Sequence, residues 1–170
     1  MKREDSRPPG PLTTARKIRL HPFQIVGIPL LVLVPILALF GVFGETVDAV
    51  SASNQQLEMH VKYPTRFRYK MIDTITVSLF NASSQSIHSV QVGFDQAYLD
   101  KFSTVVLTPS VKHVTDAVYL VEVNDLQPAE TRVISVTIQA EIYGKHEGTI
   151  AAIPDGGEKL QVSIDTFTFP

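Results

Sequence analysis

The segment Phe23–Phe43 constrains this chain more than any other. It reads FQIVGIPLLVLVPILALFGVF, 21 residues without a charge and with Gln24 as the one polar side chain. Wound as a helix it would rise roughly 31 Å, about the thickness of a bilayer's hydrocarbon core. It is apolar on every face, whereas a surface helix of a soluble domain is apolar on one stripe. A cleaved signal peptide has a shorter apolar core with a small-x-small site close behind it. Here the nearest such site, Val50-Ser51-Ala52, lies well beyond the apolar end. The expectation is a retained transmembrane helix over 23–43. Pro29 and Pro35 each remove a backbone N–H inside it, which predicts a bend. The segment lacks His, Asp, Glu, Lys and Arg. It therefore offers no proton path and no imidazole for a haem or chlorophyll.

Charge divides the rest. Residues 1–22 carry six basic side chains against two acidic ones, and residues 44–170 carry nine against fifteen. Basic flanks stay on the cytoplasmic side, so the N-terminus is expected in the cytoplasm and the remainder across the inner membrane, in a bacterial periplasm. Met1–Pro11 is polar and proline-rich and cannot bury a core. Leu12–Leu20 fits either a short interfacial helix or a snorkelling linker. Residues 44–55 are small and polar and read as a tether. The expected organisation is a basic tail (1–22), a transmembrane helix (23–43), a linker (44–55) and one domain (56–170), which is long enough for a single core. There is no cysteine, which excludes disulfides and thiolate metal sites.

From Gln56 the apolar period becomes two. Leu57, Met59, Val61 and Tyr63 alternate with polar residues up to Pro64. Phe67, Tyr69 and Met71 follow, then Ile75, Val77 and Leu79, then Val90, Val92 and Phe94. Asp95–Phe102 breaks the pattern, and Asp95 is suited to cap one helical turn that turns Tyr98, Leu99 and Phe102 inward. Strands resume at Val105–Leu107, Ala117–Val123, Ile134–Ala140, Thr149–Ile153 and Leu160–Phe169. Tyr143–Gly148 reads as a hairpin connection. About eight short half-buried strands with regular turn signals predict an all-β, immunoglobulin-like sandwich.

Two stretches carry a resemblance. Asn81-Ala82-Ser83 forms a turn between strands, and Leu126-Gln127-Pro128-Ala129-Glu130-Thr131 leads into the long strand that follows. The domain resembles the Ig-like domains of bacterial envelope proteins of the CARDB and NEW3 kind, whose turn carries Gly where this chain has Ala129. The resemblance covers about residues 56–170. It implies a fold, and it implies adhesion, spacing or assembly rather than catalysis. Anchor and sandwich together also resemble the small extra subunits of bacterial energy-converting complexes, either respiratory or of the photosynthetic reaction-centre–light-harvesting type.

Little in the sequence carries chemistry. The five histidines show no ligand spacing, and His60 and His88 fall on the polar phase of their strands. His146 is expected in a solvated turn. There is no nucleophile elbow and no phosphate loop. No catalytic residue, metal ligand or cofactor site is assigned, and no small-molecule substrate is evident. An acidic domain beyond a membrane is a poor partner for nucleic acid. Lys62–Lys70 stands out, because four of the domain's nine basic residues fall there among Tyr63, Phe67 and Tyr69. That reads as a charge-protected edge strand or as a surface for phosphate headgroups or an acidic partner.

The expected function is that of a non-enzymatic, single-pass accessory subunit that stabilises a larger membrane complex. Its partners would be other integral membrane proteins and the lipid bilayer. The expected contacts are Phe23, Pro29, Pro35 and Phe43 in the membrane and Arg66, Arg68 and Lys70 outside it. The alternative is a tethered binding module for a carbohydrate, peptide or client protein, with Tyr98, Tyr119 and Tyr143 as its aromatic surface.

Overall fold

The structure, a computed structural model, describes residues 22–41, 44, 46–114 and 117–170. Residues 1–21 of the basic tail and Phe43 lie outside the described residues. The chain divides into two units, Met1–Val42 and Phe43–Pro170.

Among the described residues of the first unit, a helix, α1, covers Pro22–Leu39 and runs through both Pro29 and Pro35. Its 18 residues rise about 27 Å. It ends at Leu39, short of the end expected at Phe43, and Gly41 follows at φ 73°. Among the described residues, no helix is long and apolar enough to cross a membrane. The transmembrane helix expected over 23–43 is thus not found at that length.

The second unit is all-β. Its strands are β1 (Thr46–Ser53), β2 (Leu57–Arg68), β3 (Ile72–Asn81), β4 (Ile87–Asp95), β5 (Phe102–Thr108), β6 (His113–Val114), β7 (Val118–Leu126), β8 (Thr131–Ala140), β9 (Gly144–Pro154) and β10 (Leu160–Phe169). A one-turn helix, α2 (Gln96–Leu99), lies between β4 and β5. The described residues thus form ten strands where about eight were expected. They pair in the order β5-β8-β3-β2-β10-β9-β4-β7-β6, with β1 added to β2. The sheet curls on itself as a β-sandwich, one half running from β5 to β2 and the other from β10 to β6. The halves join where the end of β2 runs parallel to β10, from Arg66–Phe167 to Arg68–Phe169.

Alternation explains the core. Leu57, Met59 and Val61 on β2, Ile75, Val77 and Leu79 on β3, and Ile134, Val136 and Ile138 on β8 are fully buried. Val90, Val92, Phe94, Ile150, Ala152 and Ile164 supply the core from the other half. A period-two pattern puts every second side chain on the same face, so one register buries all of them.

Three expectations change. The tether 44–55 is largely strand, because Thr46–Ser53 pairs antiparallel with β2 from Arg66 to Glu58. Pro64 does not end a strand. β2 runs through it, keeping β1 beside it at Val47 while passing from pairing with β3 (Leu57–Lys62) to pairing with β10 (Arg66–Arg68). For the same reason Lys62–Lys70 is not a free edge, since β2 has β1, β3 and β10 beside it.

Candidate functional site

Strand directions give the sandwich two ends. One holds the start of β1 at Thr46 and the turn after β2. The other holds Asn81.

At the Asn81 end, side chains close the turns by bonding to backbone. Asn81 is fully buried. Its Nδ2 donates to the Gln85 carbonyl at 2.8 Å and the Leu126 carbonyl at 2.9 Å. Its Oδ1 accepts from Ser83 N at 2.9 Å and from Ser83 Oγ at 2.7 Å. Its backbone N–H donates to the Glu130 carbonyl, and its own carbonyl accepts from Ala129 N. The two motifs behind the family resemblance therefore meet at one residue. Ala129 sits at φ 58°, in the left-handed region where a glycine would be at ease. Asn54 acts similarly. Its Oδ1 accepts from the N–H groups of Gln56 and Leu57, and its Nδ2 donates to the Glu158 carbonyl at 3.0 Å.

The Thr46 end is built differently. The β2–β3 turn places Lys70 at φ 64°, and its N–H donates to the Ala140 carbonyl at 2.8 Å. Lys70 Nζ pairs with Glu141 Oε1 at 3.2 Å, a hydrogen bond and charge pairing that raise its pKa. Tyr69 packs on Tyr143 with ring centroids 4.7 Å apart. Arg68 lies over the Phe169 ring at 5.8 Å. Ile72, Ile142, Tyr143 and Phe167 are all exposed here, Ile72 by 61% and Tyr143 by 54%. Arg66 and Arg68 are exposed and form no ion pair among the described residues. The three basic residues singled out in the sequence thus share one end with apolar residues from the start of β3, the β8–β9 connection and the end of β10.

Beneath that surface the core turns polar. Tyr98, held on α2 by the Asp95 side chain capping Ala97 N at 2.9 Å, is buried as expected. Its hydroxyl donates to Thr166 Oγ1 at 3.4 Å, and burial pushes its pKa well up. Tyr63 is raised too, first by burial and then by Asp165 and Asp48. His146 is buried and not solvated as expected, because its turn is in fact the first part of β9. Its Nε2 lies 2.8 Å from the Ile142 carbonyl, and its ring meets Phe102 edge-on. Thr168 Oγ1 is buried without a hydrogen-bond partner among the described residues.

The three tyrosines of the alternative reading are not brought together. Tyr98 is buried and Tyr143 exposed, while Tyr119 is half-buried with its hydroxyl 3.4 Å from Asp100 Oδ1. A shallow concavity of about 380 Å³ does lie on the outer face of the β10–β7 half, lined by Gly93, Leu120, Ala151 and Ile153. Gly93 keeps it open, since a Cβ there would meet Val118 Cγ1 at 2.8 Å. A second, polar cleft of about 480 Å³ runs past Asp95, Glu147 and Asp165, with Lys145 bridging the last two at 2.8 and 3.3 Å. His60 and His88 are exposed beside Glu58 and Asp125. Among the described residues, no group of three or more His, Asp or Glu is placed to hold a metal ion.

The strand pairing defines an all-β sandwich over the second unit. No protein family and no curated protein matches it. Among solved structures it is similar to the CARDB domain of a Pyrococcus furiosus protein in complex with di-metal ions. That likeness has 10% identity and a TM-score of 0.45, over 69% of this chain and 97% of the other. It is also similar to BslA, a bacterial hydrophobin, at 10% identity and a TM-score of 0.39, over 74% of this chain and 100% of BslA. A third similar structure is the alkylpurine DNA glycosylase AlkC of Pseudomonas fluorescens bound to DNA, at 10% identity and a TM-score of 0.35, over 74% of this chain and 31% of that one. Scores this low carry no argument about activity, partner or ligand.

Proposed function

We propose that the chain is a non-catalytic, membrane-held accessory subunit. An apolar N-terminal segment anchors it as a single pass, and its β-sandwich docks on a larger membrane complex on the periplasmic side. One observation carries this reading. The apolar side chains of α1 are exposed around the whole helix, with Phe23 84%, Leu31 76% and Leu39 87% exposed. Exposed apolar surface costs roughly 25 cal/mol per Å² in water, so such a helix calls for apolar surroundings. The sequence extends the apolar run past Leu39 to Phe43. Phe23, Pro29 and Pro35, all exposed on α1, are its membrane contacts in this reading, together with Phe43. The six basic residues of 1–22 support a cytoplasmic N-terminus.

The test is retention and company. Membranes from the native source, washed in alkaline carbonate, are expected to keep the chain, and mild-detergent purification is expected to bring integral membrane proteins with it by mass spectrometry. A lone monomer with no co-purifying membrane protein would sink the accessory-subunit reading. The concavity beside Gly93 favours a second reading, a tethered module that binds an extended peptide on its outer sheet face. Retained peptide in the purified chain, with no membrane protein alongside, would favour it.

A further inference from the structure

We propose that the Thr46 end of the sandwich is a lipid-surface contact, in which Ile72, Ile142, Tyr143 and Phe167 enter the headgroup region and Arg66 and Arg68 meet its phosphates. The inference rests on the membrane-held reading above and adds to it a second point of attachment.

Four observations point the same way. First, the composition is that of an interfacial belt. Aromatic rings and aliphatic tips stand beside exposed cations, and such side chains settle at the level of headgroups. Second, the exposed apolar residues come from separate stretches of chain, Ile72 at the start of β3, Ile142 and Tyr143 between β8 and β9, and Phe167 on β10. Three unrelated segments would each have to expose apolar surface at the same end by chance. Third, charges are arranged by partner. Lys70 and Lys145 are occupied by Glu141, Glu147 and Asp165. Arg66 and Arg68 have no carboxylate among the described residues, which leaves two guanidinium groups for anionic oxygen. Fourth, the chain enters the sandwich at this end, where Thr46 pairs with Arg66. Fully extended, the residues from Leu39 to Thr46 reach about 25 Å at most. An apolar segment lodged in a bilayer therefore keeps this end within range of its surface. The Asn81 end lies the length of a ten-residue strand from the Thr46 end, about 30 Å.

The chain contains no tryptophan, so one introduced indole is a clean reporter. The full-length chain would be placed in nanodiscs of phosphatidylcholine, with and without phosphatidylglycerol, after its retention in carbonate-washed membranes is scored. The Tyr143→Trp variant reports on the Thr46 end and Glu158→Trp on the other, each first checked for an unchanged far-ultraviolet dichroism spectrum. With brominated phosphatidylcholine, emission from Tyr143→Trp is expected to fall about twofold, more with phosphatidylglycerol present, while Glu158→Trp stays unquenched. Adding Arg66→Glu and Arg68→Glu is expected to abolish the extra quenching from anionic lipid. A chain that is retained but shows equal or no quenching at both reporters overturns the contact and leaves the membrane reading standing. A blue-shifted Tyr143→Trp emission without lipid quenching also overturns it, because the indole is then covered by protein. Loss of the chain to the carbonate wash overturns both.

Discussion

The two ends of the sandwich close the same kind of strand pairs by opposite means. At the Asn81 end, one buried and one half-buried asparagine bind backbone groups that the turns leave open. The exposed large apolar side chains near it, Val133 and Ile153, are aliphatic. At the Thr46 end the turn at Lys70 is closed by backbone bonds to Ala140, and the side chains are spent on the outside, as tilted, packed tyrosines, aliphatic tips and exposed arginines. A buried amide that satisfies several backbone groups is costly to replace. An exposed aromatic residue is not. The difference separates an end whose side chains close its turns from an end whose side chains stay on the outside.

Asn81 carries the largest expected effect. Asn81→Ala removes two donated and two accepted hydrogen bonds from a site without solvent, and is expected to cost about 3 kcal/mol. Tyr143→Ala at the other end should cost less than about 1 kcal/mol. Urea unfolding followed by dichroism measures both, and equal losses would erase the distinction between the ends.

The polar core under the Thr46 end gives the next largest effect, through pH. Burial raises the Tyr98 pKa, so the folded state holds that proton more tightly than the unfolded state does. The stability this contributes is complete below about pH 10, where an unfolded tyrosine is still protonated, and is lost as pH rises beyond it. Unfolding midpoints across the alkaline range should fall for the native chain and fall less for Tyr98→Phe. A parallel decline in both would mean that Tyr98 contributes none of it.

Two smaller gains are expected, one at each end. Thr168→Val replaces a buried hydroxyl that has no partner among the described residues with a methyl of the same shape, and should raise stability by about 1 kcal/mol. Ala129→Gly relaxes a left-handed backbone at the Asn81 turn. After the added freedom of the unfolded chain is subtracted, it should gain about 0.5 kcal/mol. Thermal melts resolve both, and a loss at either position counts against the environment described for it.

Much of the fold was legible because burial writes itself as period two. β3, β8 and β10 read correctly for that reason, and the capped turn at Asp95 followed from one side chain and three apolar residues. β1 was not legible. Its residues TVDAVSAS are small and mostly exposed on both faces, so no buried face imposes a period. Pro64 misled because it looks like a terminator, whereas the strand uses it to change partners. His146 was misplaced with the turn around it. The candidate surface was half legible. Arg66, Arg68, Lys70 and Ile72 stand close together in the chain, but Ile142, Tyr143 and Phe167 join them only through pairings of β2 with β10 and β3 with β8. Distance in sequence hides what the sheet brings together.

The short parallel seam between β2 and β10 has a consequence for how the domain is made. β10 is synthesised after every other described strand, yet it is the strand that holds the two halves to each other. Until it emerges, the β5–β2 half and the β9–β6 half have apolar faces and no strand pairing between them. A nascent chain would pass that interval with its core ajar. Losing Phe167–Phe169 would remove all three of the pairs that join the halves.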